Sequence, residues 1–429
     1  MNKTIITVIA AFFISSSLGI AQNRPYDKNG LNVFENPKVD PVKFDKLKLN
    51  IGGSFTQSYQ SLSQSNTADP KLAGTPAVDQ NKLVAIVPGF NTANANLYLD
   101  VMLGEGIYLN MALYLSARHH NETWVKGGYI QFDKLPFIHS AFLDNLMKYS
   151  TIKVGHMEVN YGDAHFRRSD NGNSIYNPFV ENYIMDGFAT EIGAEVDVQH
   201  NGFIGVAGIT NGEIKGDIAE VAAVAGASNG KHHPAFIGKI GYDKQFNKNI
   251  RLRVTGSGYY TAGSVSNTLY GGDRGGSHYF GVMDNALSTT AAFSGRFNPG
   301  FSDKVGSLMG NIFLKAGGLE WFTTIEKSRG RSRTELVDRT ASQFATDLVY
   351  RFGKTENFWL GARYNVVSST ISQTDVKLNR IALSGGWFVT KNIMAKAEYV
   401  NQNYKDFPST DIRSGGNFKG VVFEAVVGF

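Results

Sequence analysis

The stretch KGVVFEAVVGF, residues 419–429, alternates apolar side chains with others at a period of two. Every second position is apolar: Val421, Phe423, Ala425, Val427 and Phe429. Glu424 lies in the opposite row. Strict alternation of this kind is typical of a β-strand whose two faces meet different surroundings. An aromatic residue at the position of Phe429 is unusual for a soluble domain, whose ends are commonly polar and frayed.

The same period of two recurs from about residue 47 onward. About sixteen segments follow it, and the tenth alternates least well: 47–60, 90–103, 107–118, 123–132, 150–159, 188–199, 202–210, 234–245, 250–260, 278–295, 307–325, 341–352, 358–368, 377–389, 393–404 and 417–429. No repeat of fixed length is visible, which argues against propellers and solenoids. The sequence therefore predicts an all-β protein.

The connections between these segments fall into a short set and a long set that alternate along the chain. Tight turns such as 104–106 and 390–392 alternate with long connections such as 160–187 and 211–233. Two connections depart from this order: the one near 118–123 is short, and the one over 133–149 is long and is expected to contain a helical turn. A β-sandwich would mix the two lengths at each end. Tight turns at one rim and long loops at the other indicate an up-and-down transmembrane barrel.

The first residues resemble an export signal. Lys3 precedes an apolar run from Thr4 to Leu18, and the small residues Gly19 and Ala21 are typical of a cleavage site before Gln22. We therefore expect a signal peptide over 1–21, a periplasmic lead-in over 22–46 and the barrel over 47–429. The chain has no cysteine, which excludes a disulfide framework and a thiolate metal site.

A closed barrel explains the place of Phe429. With an even number of strands, the last strand ends at the rim where the first strand begins. Pairing between these two strands removes both sheet edges. Phe429 then faces lipid in the aromatic girdle of that rim. A barrel of about sixteen antiparallel strands is wide enough for an aqueous channel. The expected location is the outer membrane, in contact with its lipids.

Several stretches are similar to a known family. STIKVGHMEVNYGDAHFRRSDN (150–171), NPFVENYIMDGFATEIGAEV (177–196) and EYVNQNY (398–404) look like Gram-negative outer-membrane porins, most of all the phosphate-selective porin O and P family. The resemblance implies a passive pore, a homotrimer and a third outer loop that folds inward. Members that select phosphate carry a dense arginine and lysine ladder, which this sequence does not show, so phosphate selectivity is not carried over.

The third outer loop, residues 160–187, is the expected constriction. Charges of both signs across a narrow water path would orient polar solutes. The candidate residues are Asp163, Arg167, Arg168, Asp170, Glu181 and Asp186. The alternative is an ordinary solvated loop.

Parity along the strands predicts which charges face the lumen, because a charged side chain in the lipid-facing row is costly. The candidate wall residues are Arg118, Glu191, Glu195, Asp197, Arg251, Arg253, Arg363 and Glu424. An error of one residue in register would turn any of them outward.

The remaining chemistry predicts no enzyme, metal or cofactor site. The pairs His119–His120 and His232–His233 lack the spacing of metal ligands, and no basic cluster with interleaved aromatics suggests nucleic acid. We therefore expect a porin that admits small hydrophilic solutes or ions. The alternative is a barrel with a plugged lumen that serves as a scaffold, partner subunit or adhesin.

Overall fold

The computed structural model describes residues 24–38, 42–116, 123–216, 218, 231–271, 275–285 and 293–429. These ranges form sixteen long antiparallel strands of one sheet. The strands are β1 Lys48–Ser65, β2 Asn94–Gly104, β3 Ile107–Ser116, β4 Thr123–Phe132, β5 Ser150–Glu158, β6 Thr190–His200, β7 Phe203–Thr210, β8 Ala235–Gln245, β9 Ile250–Thr261, β10 Lys304–Ala316, β11 Leu319–Arg331, β12 Arg339–Phe352, β13 Phe358–Ile371, β14 Thr374–Phe388, β15 Ile393–Lys405 and β16 Asn417–Gly428.

The sheet closes on itself. Each strand pairs with its neighbours in sequence, and β16 pairs with β1 from Ser54↔Gly428 to Ser65↔Asn417. Phe429 adds two backbone hydrogen bonds, because its N–H donates to the Gly53 carbonyl (3.0 Å) and the Gly53 N–H donates to its carbonyl (2.8 Å). A closed ring leaves neither terminal strand as an open edge. The predicted up-and-down barrel of about sixteen strands is confirmed.

The two faces of the wall separate as the alternation predicts. On β16, Val421 and Phe423 are exposed on the outside, whereas Val422, Glu424 and Val426 are buried inside. The outer wall carries rows of exposed apolar residues on the other strands too, for example Leu308, Ile325, Leu348, Leu360 and Leu383. Apolar surface of this extent on the outside of a closed sheet matches a lipid environment.

Two of the predicted segments are wrong, although the strand number is right. Segment 278–295 is not a strand: its described residues, 278–285 and 293–295, lie in the loop between β9 and β10. Segment 307–325 is two strands, because Gly317 and Gly318 form a tight turn between β10 and β11. Gly317 has φ +59°, and a Cβ on Gly318 would lie 2.2 Å from the Arg351 carbonyl oxygen. Paired glycines fit such a two-residue hairpin.

The two rims differ as expected. Tight turns join strands at one rim, where the one longer connection carries the short helix α1, Ala141–Met147, near the helical turn predicted over 133–149. Long connections lie at the other rim, with the exception of the two-residue turn Ser372–Gln373 between β13 and β14. The first long connection carries two-residue strands at Leu72–Ala73, Val78–Asp79 and Gly89–Phe90. No helix in the described ranges has the length and apolar character needed to span a bilayer.

Closure makes a prediction at Gly420, in the seam between β16 and β1. Gly420 has φ +150°, and a Cβ there would lie 2.1 Å from the Ser61 carbonyl oxygen. We expect Gly420→Ala to lower the free energy of unfolding by about 2 kcal/mol, since strained backbone of this kind typically costs 1–3 kcal/mol. Urea unfolding in detergent, followed by circular dichroism, measures the loss.

Gly310→Ala is the matched control, because a Cβ on Gly310 meets no atom within 4 Å. Its unfolding free energy should stay within about 0.5 kcal/mol of the unchanged chain. Equal unfolding midpoints for the two variants would contradict the role of the seam.

Candidate functional site

The loop between β5 and β6, residues 159–189, crosses the lumen and is here called the third loop. At one end the Asp163 carboxylate bonds to Arg253 on β9. Further along, the Gly172 carbonyl accepts from Thr56 Oγ1 (2.8 Å) on β1, eight strands away around the ring. Almost every residue of the loop is buried. The third loop is therefore a filling of the barrel and not a solvated outer loop.

Inward cations of the wall hold the backbone of the third loop. Lys396 Nζ donates to the Phe179 carbonyl (2.7 Å) and also to those of Ser174 and Asn177 (both 3.2 Å). Likewise, Arg363 donates to the Glu181 carbonyl (2.7 Å) and Arg380 to the Asn182 carbonyl (2.6 Å). Buried carbonyls outside regular structure need such donors. The charge on the donors strengthens each bond.

Asp163 lies at the centre of the densest charge cluster. Its carboxylate accepts from Arg253 Nε and Nη2 (both 2.8 Å), from Lys239 Nζ (3.1 Å) and from Thr255 Oγ1 (2.6 Å). Burial would raise the pKa of Asp163, but Lys239 and Arg253 outweigh it and hold that pKa well below its usual range. The group is therefore a carboxylate throughout the physiological range.

The two arginines of the third loop are also paired. The Arg167 guanidinium lies over the ring of Phe322, 5.2 Å from its centroid. It donates hydrogen bonds to Asn32 and to Glu320 Oε2 (3.4 Å). Arg168 bonds to Asp170 (3.0 Å) and Asp186 (2.7 Å).

The three other candidate carboxylates have partners as well. Asp170 also accepts a hydrogen bond from Lys126 Nζ (2.5 Å), and Asp186 accepts one from Arg296 Nη1 (3.1 Å). Glu181 accepts a hydrogen bond from the His278 backbone N–H (2.7 Å). The structure thus brings all six candidates into the lumen and pairs each one locally. Paired charges leave a much weaker field across the lumen than separated ones.

All of the predicted wall residues that the structure describes face inward, and Arg118 lies outside the described residues. Their partners are Thr210 and Tyr259 for Glu191, Lys153 for Glu195 and Asp197, Asp243 for Arg251, Asp163 and Glu35 for Arg253, Asp347 for Arg363, and His278 and Lys396 for Glu424. Any role of these residues in selectivity stays a prediction.

A second inward segment, which the sequence reasoning missed, comes from the loop between β9 and β10. Tyr270 OH donates to Glu326 Oε1 (2.6 Å), and the Gly295 carbonyl accepts from Gln402 Nε2 (3.0 Å). This segment packs with the third loop into an apolar cluster that includes Ile184 and Phe297. The poor alternation of 278–295 was the one signal in the sequence that could have shown it.

A third inward segment is residues 24–38, which cross the lumen near the tight-turn rim. The Lys28 N–H donates to the Lys391 carbonyl (2.8 Å) in the β14–β15 turn. Lys38 Nζ contacts Asp133 (3.1 Å), on the far side at the end of β4. Between these ends, Glu35 pairs with Arg253 (2.7 Å). No sequence pattern indicated this course, because Lys38 and Glu35 have partners that are more than ninety residues away in the chain.

One polar cavity of about 270 Å³ lies between these fillings and the inner wall of β2–β6. Aromatic rings and charges of both signs line it, and they include Tyr26, Tyr98, Lys126, Lys153, Glu158 and Glu195. Tyr26 and Tyr98 are stacked with ring centroids 4.0 Å apart. Lys126 pairs with Glu158 (3.0 Å), and Lys153 with Glu195 (2.9 Å). The cavity offers polar groups to a small solute, because 270 Å³ is the volume of roughly nine water molecules.

No arrangement in the described residues resembles a metal centre: no group of three or more His, Asp or Glu side chains lies close enough to hold an ion. The predicted histidine pair His119–His120 lies outside the described residues. His232 lies 3.4 Å from Glu213, in a loop at the long-loop rim.

Comparisons with solved structures show the porin fold. The chain superimposes on the anion-selective porin from Comamonas acidovorans with TM-score 0.54 and 10% identity, over 90% of this chain and 100% of that one. It also matches OmpF of Salmonella typhi, solved in complex with daunomycin (TM-score 0.51, 10% identity, 89% and 98% coverage). The trimer form of Vibrio cholerae OmpT gives TM-score 0.50 and 10% identity, with 90% and 100% coverage. No protein-family model and no curated protein matches the chain.

Arg253 holds both the third loop, through Asp163, and residues 24–38, through Glu35, and these ion pairs are here called the clamp. The clamp predicts the effect of Arg253→Gln. The change leaves Asp163 and Glu35 to share Lys239, and breaking a buried ion pair typically costs about 3 kcal/mol or more. We therefore expect the open population of the loop to rise by about a hundredfold. The rate of tryptic cleavage after Arg167 and Arg168 measures that population.

Arg329→Gln is the control, because Arg329 faces outward with 70% of its side chain exposed. It should leave cleavage of the third loop unchanged. Protection of the loop in Arg253→Gln equal to that of the control would contradict the clamp.

Acid should release residues 24–38. Burial raises the pKa of Glu35, but Lys239 and Arg253 lower it to about 2. A carboxyl group with a depressed pKa stabilises the folded state above its unfolded pKa, roughly 4.3, and loses that contribution as the pH falls through the folded value. A fluorophore on Asn29→Cys, in this cysteine-free chain, should therefore gain mobility between about pH 4 and pH 2.

Two comparisons test this assignment by fluorescence anisotropy. A label on Lys248→Cys, in the exposed tight turn between β8 and β9, should show no change over the same range. Glu35→Gln should make the label on Asn29→Cys mobile already at pH 6. An unchanged acid transition in Glu35→Gln would assign the release to another group.

Proposed function

We propose that the protein is an outer-membrane channel for the passive diffusion of small hydrophilic solutes or ions, with the third loop as its constriction. The observation that carries the proposal is the polar cavity beside the third loop. It is a polar space in a lumen that the inward segments otherwise fill. Its lining of tyrosines and paired charges suits polar solutes and disfavours apolar ones.

The proposed location has two supports. The fold is that of outer-membrane porins, and the outer wall is apolar with aromatic residues such as Phe358, Trp387 and Phe429 exposed toward the tight-turn rim. The predicted signal over 1–21 agrees with export, and residues 1–23 lie outside the described part of the chain. A homotrimer remains part of the proposal, and OmpT of Vibrio cholerae is described in a trimer form.

Phosphate selectivity is not part of the proposal. Inward cations exist on β12–β15, but Arg363, Arg380 and Lys396 are occupied by carbonyls of the inward segments. A cation that already holds backbone oxygens has fewer donors left for a passing anion. The cavity itself carries balanced pairs, so we propose weak charge selectivity.

A closed barrel that acts as a scaffold, partner subunit or adhesin is the second candidate. It is favoured by the amount of apolar packing inside the ring, where Phe179, Trp359 and Phe388 form one cluster and Phe34, Tyr183 and Phe313 another. Packed interiors of this kind resist the passage of water. The two candidates differ in whether the cavity connects both rims.

Conductance in planar bilayers distinguishes the two candidates. The channel proposal predicts small ohmic steps for the purified protein. Tyr26→Ala should raise the step size, because the stacked pair of Tyr26 and Tyr98 lines the cavity. Tyr59→Ala, on the outward face of β1, should leave the step size unchanged.

The opposite result has a defined meaning. Silence of both the unchanged protein and Tyr26→Ala, in preparations with intact strand content by circular dichroism, would reject the channel and favour the scaffold. Liposome swelling with sugars of graded size then gives the size limit of a conducting protein.

A further inference from the structure

Residues 24–38, here called the rim segment, follow the inner circumference of the ring near the tight-turn rim. At one end Tyr26 stacks on Tyr98 of β2, and the Lys28 N–H bonds to the turn between β14 and β15. The segment then passes five further strands, with contacts to Glu320 on β11, Arg251 and Arg253 on β9, Lys239 on β8, Gln199 on β6 and Ser150 on β5. It therefore contacts most sectors of the ring from inside.

The rim segment bounds the polar cavity on the side of the tight-turn rim. Five of its residues line that cavity: Arg24, Tyr26, Phe34, Glu35 and Asn36. On its other side the segment touches the third loop, because Arg24 Nη1 donates to the Phe166 carbonyl (2.8 Å) and Tyr176 OH donates to the Pro25 carbonyl (2.6 Å). Loss of the segment would therefore remove the boundary of the cavity on the tight-turn side.

The rim segment is not part of the sheet. Within residues 24–38 no residue belongs to a strand, and the regular structure is a 3₁₀ turn over Lys28–Gly30. Side chains and isolated backbone hydrogen bonds hold the rest. A strand that left the wall would leave its two neighbours with open edges. The ring, in contrast, stays closed when the rim segment leaves.

The buried wall charges that hold the rim segment also have partners in the wall or in the third loop. Arg253 bonds to Asp163 (2.8 Å) as well as to the segment, and Lys239 also reaches Asp163 (3.1 Å). On β11, Glu320 accepts from Arg351 Nε (2.7 Å) in addition to its contact with the segment. A buried charge without a partner would be costly, and these groups keep a partner once the segment has gone.

Two aromatic rings of the rim segment have no such substitute. Tyr26 stacks on Tyr98 with ring centroids 4.0 Å apart. Phe34 is 3% exposed and lies between Phe166 of the third loop (5.7 Å between centroids) and Phe313 of β10 (5.4 Å). Because burial of apolar rings is favourable, we expect these two residues to provide most of the free energy that keeps the segment in the lumen.

We propose that the rim segment is an autoinhibitory gate of the polar cavity. In place, it closes the cavity toward the tight-turn rim, and it opens the cavity by leaving the lumen while the ring and the third loop stay as they are. The third loop keeps its own anchors, since Arg363, Arg380 and Lys396 hold its carbonyls. The second partners in the wall distinguish a removable gate from a fixed filling, whose loss would leave buried charges alone. As the regulation of the channel, the gate rests on the proposed function.

The first test measures access to the cavity and needs no conduction. In this cysteine-free chain, Ala112→Cys places a single thiol on β3, where Ala112 lines the cavity. In detergent, its reaction with N-ethylmaleimide should be slow compared with that of Lys248→Cys in the exposed turn between β8 and β9. Phe34→Ala should accelerate the reaction of Ala112→Cys by about a hundredfold, because loss of a buried ring raises the displaced population of the segment by that order.

Phe418→Ala is the matched control. Phe418 is a buried ring on the inner face of β16 that packs against Tyr279 and Tyr404, away from the rim segment, and its loss should leave the reaction of Ala112→Cys unchanged. Equal rates in Phe34→Ala and Phe418→Ala, or a fast reaction with the segment intact, would overturn the proposal. Circular dichroism checks the folding of each variant, and Glu35→Gln provides the same test if Phe34→Ala loses strand content.

The second test locks the gate in planar bilayers. The Lys28 N–H bonds to the Lys391 carbonyl, so exposed cysteines at Asn29→Cys and Lys391→Cys lie within reach of a short bis-maleimide. Phe34→Ala should raise the conductance step, and this bridge should return the step to that of the unchanged protein. A raised step that persists with the bridge in place would overturn the gate. Silence of all variants together with the faster reaction of Ala112→Cys would reject the channel and support the gate.

Discussion

The structure depends on the hydrogen bonds that inward cations donate to backbone carbonyls inside the ring. The backbone N–H and C=O groups of a strand form hydrogen bonds with the neighbouring strands. A loop that enters the barrel loses its hydrogen bonds to water and has no neighbouring strand to replace them. Lys396, with three carbonyls of the third loop, supplies the missing donors at one point. Without such donors, the loop would be more stable in the solvent outside the rim.

Charge pairing serves the same end for the side chains. Isolated charges in the packed lumen would be costly to bury. Many of the described inward charges have a partner of opposite charge, whereas Glu191 is held by the hydroxyls of Thr210 and Tyr259. The cluster of Asp163, Glu35, Arg253 and Lys239 joins the third loop, the segment 24–38 and two strands at one place. The same pairing that makes the filling stable removes most of the field that separated charges would give. In the proposed channel, the width of the cavity would therefore limit passage more than its charge.

The sequence predicts the wall well and the filling poorly. Alternation assigns Glu191, Arg253 and Arg363 to the inner face, because the side-chain period of a strand is two whatever the strand pairs with. It cannot show that Arg253 meets Glu35, since the two are 218 residues apart and no local pattern links them. The count of sixteen strands came out right through two errors that cancel: 278–295 was taken for a strand, and the turn at Gly317 was overlooked. The segments that fold inward do not show the strand period of two, so they are recognised only from their contacts in the structure.

The seam between β1 and β16 has a consequence for how the molecule assembles. It joins residues near 54–65 to residues 417–428, so it brings together parts of the chain at the greatest sequence separation, and such contacts form slowly. The third loop already touches β1 through Thr56 and β15 through Lys396. It therefore bridges strands on both sides of the seam, so its contacts stabilise the closed ring. The closed wall and its filled interior therefore depend on each other for stability.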